Sequence, residues 1–374
     1  MIRTASLSLL ALIASVALAL SGWGSPLAVA HLAFAVGIVP LIFAAMMHFV
    51  PVLTRTGDTD SRMALLPNVV QLFGLLAVSG MQGWLPFAAV YVAAACDVAA
   101  AGVLINWIAL RVRATLGTPH PGWRWYGVAI GCLILALLSI LLIPFWPNYW
   151  RALRLFHLHL NTLGLIGLAA LGTLPVLLPT ALGKPDPEAA GWLRRRLWLV
   201  ASGALVVATG AVIAWPFSAP GAMLIFVSVL GLAGQWIRRF GIRPLLNDGA
   251  AASLLASLCG LLLALLAGLL HGAGFLSARA SLSAWAAGFL LPLVSGALSQ
   301  LLPVWRWPGP ATPERLAMRQ RLVATGALRG ALFVASALAL LAGFQALGGG
   351  LLLAAVGLFV IALAQAVRVR RPTR

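Results

Sequence analysis

Six histidines carry the plainest metal or redox chemistry in this chain: His31, His48, His120, His157, His159 and His271. Neutral imidazole is the commonest metal ligand among side chains and the usual axial ligand of haem iron. Inside apolar sequence an ionisable group is costly and marks a functional path or a cofactor. The plain alternative is an imidazole that bonds a backbone carbonyl in a packed core. His157 and His159 stand two residues apart, so on a helix their side chains point roughly 200° apart. One cannot help the other hold the same metal, but each can serve a different site. His48 follows His31 by about 25 Å of helix at 1.5 Å per residue. It therefore belongs near the opposite end of its element, and with His120 in the loop Thr118-Pro-His-Pro-Gly122 it is read as structural or gating.

The elements that must position these residues are membrane helices. Of 374 residues, 62% are hydrophobic and 9% charged, against roughly 25% charged in a soluble domain. Spans of about 20 apolar residues cross the hydrocarbon core as helix. Twelve are legible, at approximately 4–22, 26–53, 63–81, 84–110, 125–146, 150–180, 194–214, 219–237, 251–272, 281–304, 322–343 and 347–367. The expected fold is therefore all-α and polytopic, one transmembrane domain with the lipid bilayer as its first partner. The first span follows Arg3 and could be a cleaved signal peptide, but the repeat described below needs it.

The net charge of +18 would suggest nucleic acid in a soluble protein. Here no nucleic-acid partner is expected, because arginines gather in every second loop. They follow spans 2, 4, 6, 8 and 10 and occupy both ends of the chain. All basic residues fit this pattern except Arg151, Arg154, Arg279 and Arg329. The positive-inside rule then makes both termini cytoplasmic, in what is read as a bacterial inner membrane. It also sets His31, His157, His159 and His271 at one depth, toward the outer side. Cys96, Cys132 and Cys259 lie in apolar segments without CxxC spacing and read as filler.

The spans repeat in threes. Leu-Pro or Val-Pro closes spans 2, 6 and 10 at Pro51, Pro179 and Pro303, at near-equal intervals. His31 and His159 lie the same distance before their prolines, a place taken by Ser283 in span 10. Asn106-Trp-Ile, Gln235-Trp-Ile and Gln365-Ala-Val close spans 4, 8 and 12 before arginine clusters. Three units of four helices follow, approximately 1–115, 116–243 and 244–374.

Twelve helices in three arcs of four, with His157-Leu-His159-Leu-Asn-Thr-Leu-Gly and Pro179 downstream, resemble the catalytic subunit of haem-copper oxidases and the related NnrS family of haem- and copper-containing membrane proteins. The local match is to the family's H-x-H helix, which carries one ligand for each of two haems. The departures are specific. Here the H-x-H lies on the sixth span, where the oxidases keep a copper ligand with H-x-x-x-Y; the tenth span has no histidine and the seventh no His-His pair. An oxygen-reducing binuclear centre is not expected. The resemblance implies a b-type haem clamped by His31 with one of His157 or His159. The other histidine of the pair, with His271, would hold a second haem or copper. Arg151 and Arg154 would pair with haem propionates or serve with Trp146 and Trp150 as interfacial anchors. Electron transfer, or nitric oxide or metal handling, with other membrane or periplasmic redox subunits as partners, is the implied role.

Two other classes remain open. One is a secondary transporter or channel with a histidine-lined path; the other is a cofactor-free assembly factor that kept the fold. Asp97, the one acidic residue deep in a span, is expected to be an internal hydrogen-bond or ion-pair partner rather than part of a proton relay. Three repeats count against most transporters, which use two inverted halves.

Overall fold

The computed structural model describes residues 1–369, so Arg370, Arg371 and Arg374 of the basic tail lie outside the described residues. Among these the chain is helical throughout and holds no strand. Twelve helices are long and apolar enough to cross a bilayer: α1 (Ile2–Ser21), α2 (Pro26–Thr54), α3 (Met63–Gln82), α4 (Ala88–Arg113), α5 (Gly122–Leu141), α6 (Pro147–Ala181), α7 (Ala189–Ile213), α8 (Trp215–Phe240), α9 (Gly249–Gly272), α10 (Ala278–Arg306), α11 (Pro313–Leu341) and α12 (Gln345–Val367). Helix is the form that satisfies every backbone polar group within one segment where water is absent. This is the architecture of a polytopic membrane protein.

Eleven of the twelve spans sit within a few residues of their sequence expectation, and α11 is the exception. It starts at Pro313 rather than near 322, with Thr312 accepting from the Arg315 N–H at 3.3 Å. Its first segment, Pro313–Val323, carries Arg315, Arg319 and Arg321, so an apolar window cannot register it. A break at Ala324 and Thr325 separates this segment from the apolar Gly326–Leu341.

The chain divides into two compact units, Met1–Gly172 and Thr173–Arg374. In the first, small polar groups tie α1 to α3. Gln71 Nε2 donates to Ser8 Oγ at 3.2 Å and Thr4 O at 3.3 Å, and Thr4 Oγ1 lies 3.2 Å from Asn68 Oδ1. Thr4 and Ser8 are fully buried, so these bonds spare four polar groups an unpaired place in an apolar core. The close of α3 holds the start of α2: the Ser25 N–H donates to Gln82 Oε1 at 3.0 Å, and Ser25 Oγ bonds Met81 O while capping the N–H of Ala28.

In the second unit the tight points are glycines. A Cβ on Gly260 of α9 would overlap the Gly288 carbonyl of α10, and one on Gly326 of α11 would overlap the backbone of Gly249. Small residues allow such close approach where helices have no hydrophobic drive to associate. Arg329 is fully buried in α11. It donates to Leu322 O at 3.0 Å, Thr325 Oγ1 at 2.9 Å and Ser299 Oγ at 3.2 Å, and lies over the Phe359 ring. This guanidinium thus ties the carbonyl end of the first α11 segment to α10 and α12. Nearer the arginine-rich loops, Asp248 caps α9 and pairs with Arg319 at 2.7 Å, while Asp186 pairs with Arg239 at 2.7 Å.

Three helices carry π-helical turns. A π-helical stretch interrupts α2 at Leu32–Ile38, α6 at Leu160–Gly167 and α10 at Ala286–Leu290. The widened turn adds a residue per turn and re-aims the side chains before it; such stretches are frequent at functional sites. Each is met by a small-residue contact. A Cβ on Gly74 would come within 2.6 Å of Ala35 O, and one on Gly164 within 2.7 Å of the Cys132 Cβ, while Gly288 faces Gly260 and Ala337. The two spans with the largest buried share are α6 at 83% and α10 at 72%, so two of the three π-bearing helices are also the most enclosed.

Candidate functional site

In the first unit the π-helical stretches of α2 and α6 begin directly after histidine. His31 closes the first α-helical segment of α2, and His159 closes that of α6, which runs Trp150–His159 after a short turn at Pro147–Tyr149. Across the two helices the rings that meet are His31 and His157. Their centres lie 6.3 Å apart and their planes are inclined by 15°. The sequence left open which of His157 and His159 partners His31, and the repeat register pointed to His159; the structure brings up His157.

Backbone carbonyls hold each of these rings. His31 Nδ1 lies 2.9 Å from Leu27 O, one turn back on its own helix. His157 Nδ1 reaches across to Ala136 O of α5, also at 2.9 Å. A carbonyl only accepts, so Nδ1 of each neutral ring carries the proton and Nε2 keeps the lone pair. The Asn161 amide nitrogen donates to His157 O at 2.9 Å and lies 3.4 Å from both nitrogens of the ring, bracing it from the following turn. An Nδ1–H donated to a backbone carbonyl is the support that metal-bound histidines have in general, since it fixes tautomer and ring orientation.

A metal at this place would be held by the free Nε2 of His31 and of His157. Offset aromatic pairs also lie at such spacings; what sets this pair apart is that both Nδ1 atoms are already committed and both lone pairs sit on Nε2. Among the described residues no three His, Cys, Asp or Glu side chains gather where they could hold one metal ion. A zinc or copper cage built from protein alone takes three or four such ligands. Two imidazoles suffice for an iron whose other four positions belong to a macrocycle. Two imidazoles are a donor set that a haem would accept.

The remaining expected site residues are placed as follows. His159 Nδ1 donates to Leu155 O of its own helix at 2.8 Å. In the second unit, His271 lies exposed at the end of α9 and donates from Nδ1 to Leu276 O at 2.8 Å. Arg151 and Arg154 are exposed and both stack on Trp150, at 5.4 and 5.1 Å from the ring centre. That is the geometry of an interfacial anchor. His48 packs edge-on against Phe49. His120 works as a loop clamp: its backbone N–H donates to Leu53 O at 2.9 Å and its Nδ1 accepts from the Gly122 N–H at 3.3 Å.

One oxygen of Asp97 departs from expectation. Its Oδ1 is buried in α4 and meets no hydrogen-bond donor among the described residues, where an internal partner was expected. Its helical neighbours one turn back, Ala93 and Ala94, and one turn on, Ala100 and Ala101, carry no side-chain donor. Sequence reasoning also missed Ser139, which shares the Ala136 carbonyl with His157; a serine in an apolar span carries no pattern that could have singled it out. Comparison with family models, with curated proteins and with solved structures finds no match to this chain.

Proposed function

We propose that this chain is a haem-carrying membrane protein in which His31 and His157 grip the iron of a b-type haem, acting in electron transfer or in nitric oxide or metal handling. One observation carries the reading: two near-parallel imidazoles from separate spans, 6.3 Å between centres, each with Nδ1 bonded to a backbone carbonyl. Bound haem would supply one-electron exchange between ferric and ferrous iron. The chain's own work is to hold both ligand rings in the correct tautomer, to enclose them in apolar helix, and to set positive charge nearby. Arg154 and Arg151, on the helix that carries His157, would pair with haem propionates.

The three-repeat, oxidase-like arrangement belongs to the same proposal. It is supported by π-helical stretches on the second, sixth and tenth spans, where the proline repeat also falls. An inner-membrane setting with both termini cytoplasmic is supported by the arginine pattern. Redox subunits of the membrane or periplasm are the partners this reading calls for. Copper, also suited to imidazole, would find two donors at the pair.

The deciding experiment is an optical spectrum of the purified protein, with a pyridine haemochrome assay and metal analysis. The reading expects a Soret band, α and β bands that sharpen on reduction, and about one haem b per chain. Copper without haem would replace haem by a bare ion between the same rings, and a colourless, metal-free protein would end the proposal. A second reading, a transporter or channel, draws on the unpaired carboxyl oxygen of Asp97 within α4. It expects substrate flux in proteoliposomes that Asp97→Asn abolishes.

A further inference from the structure

The carbonyl that steadies His157 is not its alone. Ala136 O accepts from His157 Nδ1 at 2.9 Å and from Ser139 Oγ at 2.7 Å. Ser139 is buried, 4% exposed, and its hydroxyl also lies 3.2 Å from Leu153 O of α6. One O–H proton serves one acceptor well at a time. Turned to Ala136 O, it draws on the same lone-pair density that His157 Nδ1–H uses. Turned to Leu153 O, it joins α5 to the His157 helix and leaves Ala136 O to the histidine. The His31 ring has no such competitor, since no side chain shares Leu27 O with it among the bonds described.

We infer that Ser139 is a positioning residue that sets the donor strength of His157, and through it the reduction potential of the metal held by the pair; this rests on the haem reading above. The physical link is the hydrogen bond at the outer nitrogen of a ligating imidazole. The stronger the Nδ1–H bond to its acceptor, the more basic Nε2 becomes and the more the oxidised metal is favoured. A hydroxyl that competes for the acceptor weakens that bond and favours the reduced state. The pair is therefore asymmetric, with His31 the stronger donor and His157 the weaker, and Ser139 is the residue that makes it so.

The test is potentiometric titration of the haem bands in wild type, Ser139→Ala and Ser139→Thr, with Ser15→Ala as control. Ser15 is a buried serine that bonds the carbonyl three residues back in α1 and touches neither ring. Ser139→Ala is expected to favour the ferric state three- to tenfold, a fall of about 30–60 mV for one electron, while Ser139→Thr and Ser15→Ala stay at the wild-type potential. Loss of haem from Ser139→Ala alone also supports the assignment, since the threonine keeps the hydroxyl. Equal potentials in wild type and Ser139→Ala overturn this inference and leave the haem reading intact. Loss of haem from both Ser139 variants makes the position a packing requirement and overturns it too. A wild-type protein without haem overturns both.

Discussion

Helices α2 and α10 use the same backbone device for different ends. In each a π-helical stretch is followed two residues later by proline, Leu32–Ile38 then Pro40 in α2 and Ala286–Leu290 then Pro292 in α10. In α2 the residue before the stretch is His31, whose ring meets another imidazole. In α10 it is Trp285, in edge contact with Phe289, and the stretch is packed through Gly288 against Gly260 and Ala337. The widened turn is thus a way to aim side chains, and the residues set on it decide between binding and packing.

The largest effect expected from breaking this contrast is at the armed helices. His31→Ala and His157→Ala should each lower haem per purified chain at least tenfold, read from the Soret absorbance against protein, because the haem would lose one of its two proposed ligands. Retention of a full complement in either variant would remove that residue from the pair.

Next comes the packed helix. Gly260→Val should cost about 1–3 kcal/mol or more, as overpacking does when the neighbour is backbone, and lower the thermal midpoint in detergent. Haem content of the folded fraction should hold, since the change lies in the other compact unit. A fall in haem at unchanged stability would contradict the division of labour.

Arg154→Gln sharpens the account of the site itself. A cation on the helix that carries His157 favours the reduced, less positive metal, so its removal should lower the midpoint potential by tens of millivolts. The shift should shrink in high salt, since Arg154 is exposed. An unchanged potential at low salt would leave Arg154 with its anchor role on Trp150 alone.

The smallest effect is expected at His159. His159→Ala should keep most of its haem, within about twofold of wild type, because the proposed ligand pair is His31 with His157, the two rings that meet. If His159→Ala loses haem and His157→Ala does not, the repeat register was the better guide to the ligand.

That point shows what the sequence could and could not reveal. Eleven spans were legible because length and hydropathy are what a bilayer demands; the first segment of α11 was hidden by Arg315, Arg319 and Arg321, which make it amphipathic. Histidine type and spacing identified the candidate ligands, since imidazole in an apolar span is rare and the opposed directions of His157 and His159 follow from helical geometry. The choice between those two was not legible, because it depends on which face of α6 meets α2. A π-helical stretch breaks the simple 3.6-residue count that would project that face. Ser139 and the unpaired oxygen of Asp97 were illegible for a related reason, as a hydrogen-bond partner is a matter of neighbouring helices and not of the span itself.

The most direct test of the central claim is low-temperature electron paramagnetic resonance of the oxidised, purified protein. With its iron held by His31 and His157, the protein should give a low-spin ferric signal, lost in His31→Ala and in His157→Ala. A high-spin signal in the wild type, or no ferric haem signal at all, would contradict it.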